Sequence, residues 1–314
     1  MTAPIFLYGF ARSGTTLLTM MLDSHPALSV PLSVTGLWYR TIAQSDAGDV
    51  NSLVDRMLAH ERIELWKSAL DRDQIISEVR PGHPEDIIPA FHAAKAAVDG
   101  KPRWANMDIA SMDHVAQLAN WFPEARFIHI VRDGRDVALS HQDYAFTEGN
   151  YLEIAEQWSA STLSAETAAA EHAHNRHLTI TFEALVNAPE ETLTRICKHI
   201  NLDFDAAMLR YTDRVDDKIP GKRRGLWPDI GNAPQSSKTQ RWRTHMRKPA
   251  RFVVEKHAAH ALTHFGYEVS AASKSSVSGQ AFEAYQNLTR GHRIKRWRRR
   301  LGLGEKRVRG SETG

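Results

Sequence analysis

The chain is 314 residues long, with 42% hydrophobic and 25% charged residues, a balance that suits a globular protein with a full core. Its single cysteine, Cys197, excludes an internal disulfide, and no apolar run approaches the roughly 18 residues of a membrane span. The net charge of +3 is unevenly placed: Arg290 to Arg309 hold ten basic residues against one acid, leaving thirty basic against thirty-six acidic elsewhere. In chain order, the apolar run Ile5 to Tyr8 predicts a buried strand, and Gly9 and Gly14 bracket a tight turn. A helix from Thr16 to Ser24 stops before Pro26, because the residue preceding proline is pushed out of the α region. Leu28 to Val30 predicts a second strand, Gly36 to Leu70 is helical in pattern, and Ile75 to Val79 predicts a strand closed by Pro81-Gly82. Helices follow at Pro84 to Val98 and Asp113 to Trp121. Phe127 to Val131 is short, β-branched and nearly all apolar, a strong buried-strand signal. After it come a helix at Asp136 to His141, a long amphipathic helix at Tyr151 to Ala173 and a strand at His177 to Phe182. Pro189 to Ile200 carries Glu190 and Glu191 at its start and Lys198 and His199 at its end, matching the helix dipole. Lys248 to Phe265 is the last long helix of the body, with Gly266 as its stop.

Strands alternating with helices imply an α/β fold of P-loop-like, three-layer type, with a central parallel sheet flanked by helices. Ser270 to Gly279, rich in Ser and Ala, reads as a linker. The expected division is therefore a domain at 1–269 and a linker with a basic helical tail at 270–314. The N-terminus has no basic region ahead of an apolar run, so no signal peptide is read and the expected location is cytoplasmic.

Two segments carry chemistry. In Gly9-Phe-Ala-Arg-Ser-Gly14-Thr-Thr16, a strand, a Gly-flanked loop and a helix start make an anion cradle of backbone N–H groups. The spacing is that of a Walker A loop, but Thr15 stands where a nucleoside triphosphatase carries Lys, and the cation is Arg12 inside the loop. A P-loop kinase or phosphotransferase, the first alternative, needs that lysine and Mg²⁺ ligands. In the second segment a buried strand runs into Arg132-Asp-Gly-Arg135. Arg132 then sits at a strand's carboxyl end, where doubly wound folds meet ligands, with a planar fork suited to phosphate. Ser140, about two turns into the next helix, can add a hydroxyl. The other reading of Arg132, Asp133, Arg135 and Asp136 is a solvated cluster capping that helix.

Here the sequence resembles the sulfotransferases that use 3′-phosphoadenosine 5′-phosphosulfate (PAPS), in the branch that includes bacterial and tyrosylprotein members. Arg12-Ser-Gly-Thr-Thr16 is similar to their 5′-phosphosulfate loop, and Val131-Arg-Asp-Gly-Arg-Asp-Val-Ala-Leu-Ser140 to their 3′-phosphate motif. Leu22-Asp-Ser-His-Pro26, Leu178-Thr-Ile-Thr-Phe-Glu-Ala-Leu185 and the late basic segment Lys238-Thr-Gln-Arg-Trp-Arg243 add to the likeness, which spans roughly residues 3 to 268. The resemblance implies that Ser13, Gly14, Thr15 and Thr16 hold the 5′-phosphate end and that Arg12 stabilises charge on the leaving group. It implies also that Arg132 and Ser140 bind the 3′-phosphate, that Phe182 lies near the adenine, and that Lys238 and Arg241 belong to a segment closing over the nucleotide. PAPS would then be the co-substrate and no metal is expected; His172 and His174 are neighbours on a polar helix, not a ligand set.

The resemblance departs at two places. Leu32 stands near where many relatives carry a Glu base, and Met107 where many carry Lys. The base is then sought among Asp108, His83 and Glu78, Asp108 first and His83 next. The bland readings are a helix cap for Asp108, a turn residue for His83 and a surface charge for Glu78. A catalytically silent PAPS-binding protein is the second alternative. The acceptor is not read beyond a hydroxyl or amine on a carbohydrate, lipid or small metabolite. In the tail, Phe282, Tyr285, Leu288, Ile294, Trp297 and Leu301 form a broken apolar stripe among basic residues, a pattern that suits an anionic membrane surface. A solvated basic tail is the competing reading, and a nucleic-acid arm is disfavoured.

Overall fold

Four short parallel strands carry the site, and the alternation of their side chains explains why both faces of the sheet are covered. The computed structural model describes residues 3–43, 49–66, 68–143, 150–219, 230–270 and 276–290. The order is β1 (Ile5–Tyr8), α1 (Thr15–Asp23), β2 (Leu28–Ser29), α2 (Leu37–Ala43), α3 (Val50–Leu58), α4 (Glu61–Glu64), α5 (Arg72–Glu78) and α6 (Ile87–Val98). It continues with β3 (Arg103–Trp104), β4 (Asn106–Met107), α7 (Val115–Trp121), β5 (Arg126–Val131), α8 (Gly134–Asp143), α9 (Tyr151–His172), β6 (His177–Thr181) and α10 (Phe182–Asn187). The remaining helices are α11 (Pro189–His199), α12 (Val215–Lys218), α13 (Trp242–His245), α14 (Lys248–His264) and α15 (Val277–Leu288).

The main sheet has the order β4-β1-β5-β6, every pairing parallel; Leu7 of β1 stands opposite Met107 on one side and Ile128 on the other. Successive side chains point to opposite faces. Phe6, Tyr8 and Phe127 therefore enter one apolar cluster, with Trp38, Phe91, Leu118 and Ala169. Ile5, Leu7, Ile128 and Ile130 enter the other, with Leu18, Met21, Leu185 and Ile196. β2 and β3 pair separately, in parallel, with Leu28 opposite Arg103. A central parallel sheet flanked by helices matches the expectation from the sequence.

Four elements differ from it. Residues 75–79 are not a strand: α5 begins after Asp71, whose carboxylate accepts from Gln74 N, and the residues it buries, Ile75 with Val79 beyond its end, are four apart as on one helix face. β3 and β4 were not expected, being two residues each and too short to show a period. Phe182 is the first residue of α10 rather than the end of a strand, because the Thr181 hydroxyl accepts from Ala184 N and caps the helix.

The chain forms two compact units: one holds residues up to Arg132 and Ser161–Thr239, the other Asp133–Ala160 and the chain from Gln240 on. This division does not follow the 1–269 and 270–314 boundary, which falls inside the second unit. There Ser270 donates to Glu255 at 2.7 Å, and α15 packs on α14. The approach is close: a Cβ on Gly279 would lie 2.4 Å from Phe252 Cγ. Phe282 joins Leu152, Phe252 and Val253, whereas Tyr285 and Leu288 of the expected tail stripe are exposed, and the expected linker already contains the start of α15. Ile294, Trp297 and Leu301 lie outside the described residues. No described helix is long and apolar enough to cross a membrane.

Candidate active site

The loop after β1 has the geometry its glycines suggested. Gly14 sits at φ 94°, a region open to glycine, and Arg12 at φ 73°; Ser13 N donates to Phe10 O at 3.0 Å and closes the turn. α1 starts at Thr15 with no side-chain cap and no acid in its first turn. Its first N–H groups and the positive end of the helix dipole are therefore directed into the loop. The Ser13 hydroxyl is fully buried there and has no hydrogen-bond partner among the described residues. An uncapped helix start, a buried hydroxyl and a backbone curled by Gly14 fit a group with several anionic oxygens.

Two sequence-predicted residues meet this loop, and a third joins them through Arg132. Phe182, at the head of α10, lies so close that a Cβ on Gly14 would be 2.4 Å from its Cδ2. The Arg132 guanidinium sits 4.5 Å above the Phe182 ring centroid. From there its Nη1 donates to Arg12 O at 3.1 Å and its Nη2 to Lys238 O at 2.7 Å. Lys238 ends a short 3₁₀ turn, Ser236–Lys238, that packs on α10. The residues at 12–16, 132, 182 and 238, scattered through more than 220 positions of sequence, are brought into one constellation.

Ser140 and Arg241 belong to the second unit. Ser140 is buried on α8; Arg241 precedes α13 and donates to Asp143 Oδ2 at 3.3 Å. In the same unit Asp133 is taken up by Arg135, whose Nη1 reaches Glu255 at 2.7 Å, and Trp242 N donates to Asp136 at 2.8 Å. The Trp242 ring, 2% exposed, stacks beneath Arg135 at 3.7 Å and contacts Arg243 and Arg251. Asp133, Arg135 and Asp136 thus form a buried structural network, and the Trp of the late basic segment is core.

The proposed bases have local duties. Asp108 is fully buried at the end of β4; its Oδ2 accepts from Gly36 N at 2.7 Å, its Oδ1 from Ala110 N at 3.1 Å and from Ser33 Oγ at 3.4 Å. Burial raises its carboxyl above the ordinary range despite those donors. His83 lies in an exposed turn with Nδ1 2.9 Å from Glu85, and Glu78 ends α5 half-buried. Leu32 O accepts from Trp66 Nε1, and Met107 is buried in β4.

Sequence reasoning missed the environment of Asp23. This buried carboxylate accepts from Val30 N at 2.8 Å and is surrounded by Lys218, Lys101 and Arg214. Burial alone would raise its pKa, but the charges of Lys218 and Lys101 outweigh it and hold the group below the usual range. Burial also brings the Lys218 ammonium down to about 8. Lys218 lies nearly 200 positions away, so no local pattern announced the partnership.

A family model described as the sulfotransferase family matches residues 4–206. Protein-tyrosine sulfotransferase 1 of Danio rerio is 25% identical over 224 residues, covering 67% of this chain and 56% of its own. Protein-tyrosine sulfotransferase of Drosophila melanogaster is 25% identical over 221 residues, covering 68% and 40% respectively. The chain thus spans about half the length of the curated relatives it matches. Among solved structures, the sulfotransferase domain from the Synechococcus PCC 7002 olefin synthase superposes with a TM-score of 0.59 at 20% identity, over 86% of this chain and 96% of that one. The sulfotransferase domain from the curacin biosynthetic pathway gives 0.59 at 18%, over 86% and 99%. Both share the fold.

Proposed function

Since the chain belongs to the sulfotransferase family, we propose that it transfers a sulfonate group from PAPS to a hydroxyl or amine acceptor on a carbohydrate, lipid or small metabolite. The relatives' names add the phenolic hydroxyl of tyrosine to that class. In the reaction, the acceptor oxygen or nitrogen bonds to sulfur and gives up its proton, while the bond from sulfur to the bridging phosphate oxygen breaks. Adenosine 3′,5′-bisphosphate leaves. Such a transfer depends on alignment and charge neutralisation more than on covalent protein chemistry. The residues would divide the work as follows. N–H groups of Ser13, Gly14, Thr15 and Thr16 hold the 5′-phosphate end, and Arg12 neutralises charge on the departing oxygen. Arg132 holds the 3′-phosphate. Phe182 lies along the adenine, and Lys238 belongs to the segment that covers the nucleotide. Asp108 acts by holding the 33–36 turn through Gly36 rather than by touching the acceptor; its three donors and full burial support that role.

The observation that carries this reading is Arg132, stacked over Phe182 and bonded to the carbonyls of Arg12 and Lys238. One side chain ties together the segments that the resemblance assigns to the nucleotide's two phosphate ends. The test is calorimetry with adenosine 3′,5′-bisphosphate and adenosine 5′-phosphate. A charged hydrogen-bonded contact is worth about 1.5–3 kcal/mol, or roughly 10–150-fold. Arg132→Ala is expected to lose that factor for the bisphosphate and little for the monophosphate, with Arg132→Lys recovering part of the difference. Equal losses for both nucleotides would remove the assignment. A second reading, a PAPS-binding protein without turnover, is favoured by Leu32 and Met107 standing where relatives carry Glu and Lys; sulfonated product from any acceptor rules it out.

A further inference from the structure

The strand that leads into the loop ends in a polar cluster that sulfonate transfer does not use. Tyr8, the last residue of β1, stands in register with His129 of β5, and His129 stands opposite Thr179 of β6, two residues beyond His177. Period-two alternation puts these four side chains on one sheet face. α9 brings Glu166 to the same cluster. Glu166 Oε1 is 2.6 Å from His129 Nδ1, accepts from Thr179 Oγ1 at 2.7 Å, and is 3.9 Å from His177 Nε2. The Tyr8 ring centroid lies 5.1 Å from that of His129 and 6.2 Å from that of His177. The Tyr8 hydroxyl is fully buried without a hydrogen-bond partner among the described residues, and so is His177 Nε2.

Buried polar atoms left without partners are rare and call for an explanation. Two imidazoles and a carboxylate whose ligand atoms all lie within 4.8 Å of one another supply one. We propose that His129, Glu166 and His177 bind one divalent transition-metal ion, of the Zn²⁺ class, and that the Tyr8 hydroxyl hydrogen-bonds the water or anion completing its coordination. In a tetrahedral site with bonds of about 2.0–2.1 Å, ligand atoms lie about 3.4 Å apart. The spacings of 2.6 and 3.9 Å bracket that value, so a small displacement of the Glu166 carboxylate admits the ion. Zn²⁺ is favoured by two imidazoles with one carboxylate, whereas Mg²⁺ and Ca²⁺ favour all-oxygen sets. The ion would pin α9 to β5 and β6, a structural site separate from the transfer chemistry.

The experiment uses the full chain, treated with chelator, dialysed, and titrated with CoCl₂ and then ZnCl₂. One Co²⁺ per chain is expected, with the visible absorption of a four-coordinate N/O site, displaced by one Zn²⁺. Zn²⁺ should also raise the thermal midpoint. Glu166→Gln and His177→Gln should each weaken uptake at least about tenfold while still binding adenosine 3′,5′-bisphosphate, which shows that they fold. His172→Gln, a histidine outside the cluster, should bind as the parent does. Absence of stoichiometric uptake by the parent, or uptake unchanged in both cluster variants, overturns the site. Because nucleotide binding is measured separately, failure here is distinguishable from failure of the proposed function.

Discussion

Replacing Gly14 with alanine tests whether the loop, the Phe182 ring and the Arg132 guanidinium act as a unit. At φ 94° an L side chain is strained, which costs about 1–2 kcal/mol. The new Cβ would lie 2.4 Å from Phe182 Cδ2, a distance no carbon pair tolerates, and a tight 3.1 Å from Cε2. The ring must turn or retreat, and such overpacking costs about 1–3 kcal/mol. The expected loss is thus roughly 2–5 kcal/mol of stability, read by urea unfolding. The ring also carries Arg132, 4.5 Å above its centroid, so nucleotide affinity should fall with stability, at least about tenfold by calorimetry. The decisive measurement is the same substitution in a Phe182→Ala background. There the ring is gone and only the backbone cost of about 1–2 kcal/mol remains. A coupling of about 1–3 kcal/mol should then appear in the double-mutant cycle. Additivity within about 0.5 kcal/mol, or wild-type nucleotide affinity in Gly14→Ala, refutes the packing argument.

Asp108→Asn should lower unfolding stability by about 1–3 kcal/mol, because one amide oxygen cannot replace two carboxylate oxygens facing Gly36 N, Ala110 N and Ser33 Oγ; unchanged stability would show that this tie carries no weight. His92 lies among Trp38, Trp66 and Trp104, and burial lowers its pKa from 6.5 to about 4, opposed by its bond to Ile88 O. Between those values the unfolded chain binds a proton that the folded chain refuses, so stability is lost as pH falls from 6.5 toward 4, by about 3 kcal/mol. His92→Gln should flatten that part of a urea-midpoint profile, and parallel profiles for the two proteins would contradict it. The full chain, with its basic C-terminal run, should float with anionic vesicles at low salt at about 1 kcal/mol per basic residue near the surface, an attraction that salt screens. A chain ending at Arg290 keeps α15 and should stay unbound; equal flotation of both rules out the tail as the anchor.

What could be read in the sequence depended on how far each partnership reaches along the chain. β1 and β5 were visible because a strand buried on both faces is a continuous apolar run, whatever it pairs with. The loop was visible because a left-handed turn and an uncapped helix start require glycine at particular spacings. α5 was misread because five residues with Ile75 and Val79 at their ends fit a short buried strand as well as one helix face. Its cap, Asp71 with Gln74, decides between them and lies outside that window. Two-residue strands such as β4 have no period to detect; they exist because β1 offers a free edge for Asn106 and Met107.

The same reasoning explains why the site was legible in parts. Arg12, Arg132 and Phe182 each end or follow a strand, so local pattern marked them. Their mutual contact, by contrast, follows from the order β4-β1-β5-β6, which parallel crossovers hide from any local window. Asp108 illustrates the limit. Its position suggested a base, yet its acceptors are occupied by a turn more than 70 positions earlier in the chain. The cluster of Tyr8, His129, Glu166 and His177 is the extreme case. Each residue looks ordinary in its own segment: a tyrosine ending a strand, one histidine in an apolar run, another opening the next strand, a glutamate on a long helix. Only the register between three strands, and the placement of one turn of α9 over them, makes them a ligand set. Histidines adjacent in sequence, such as His172 and His174, are for that reason poorer evidence of a metal site than histidines brought together by strand register.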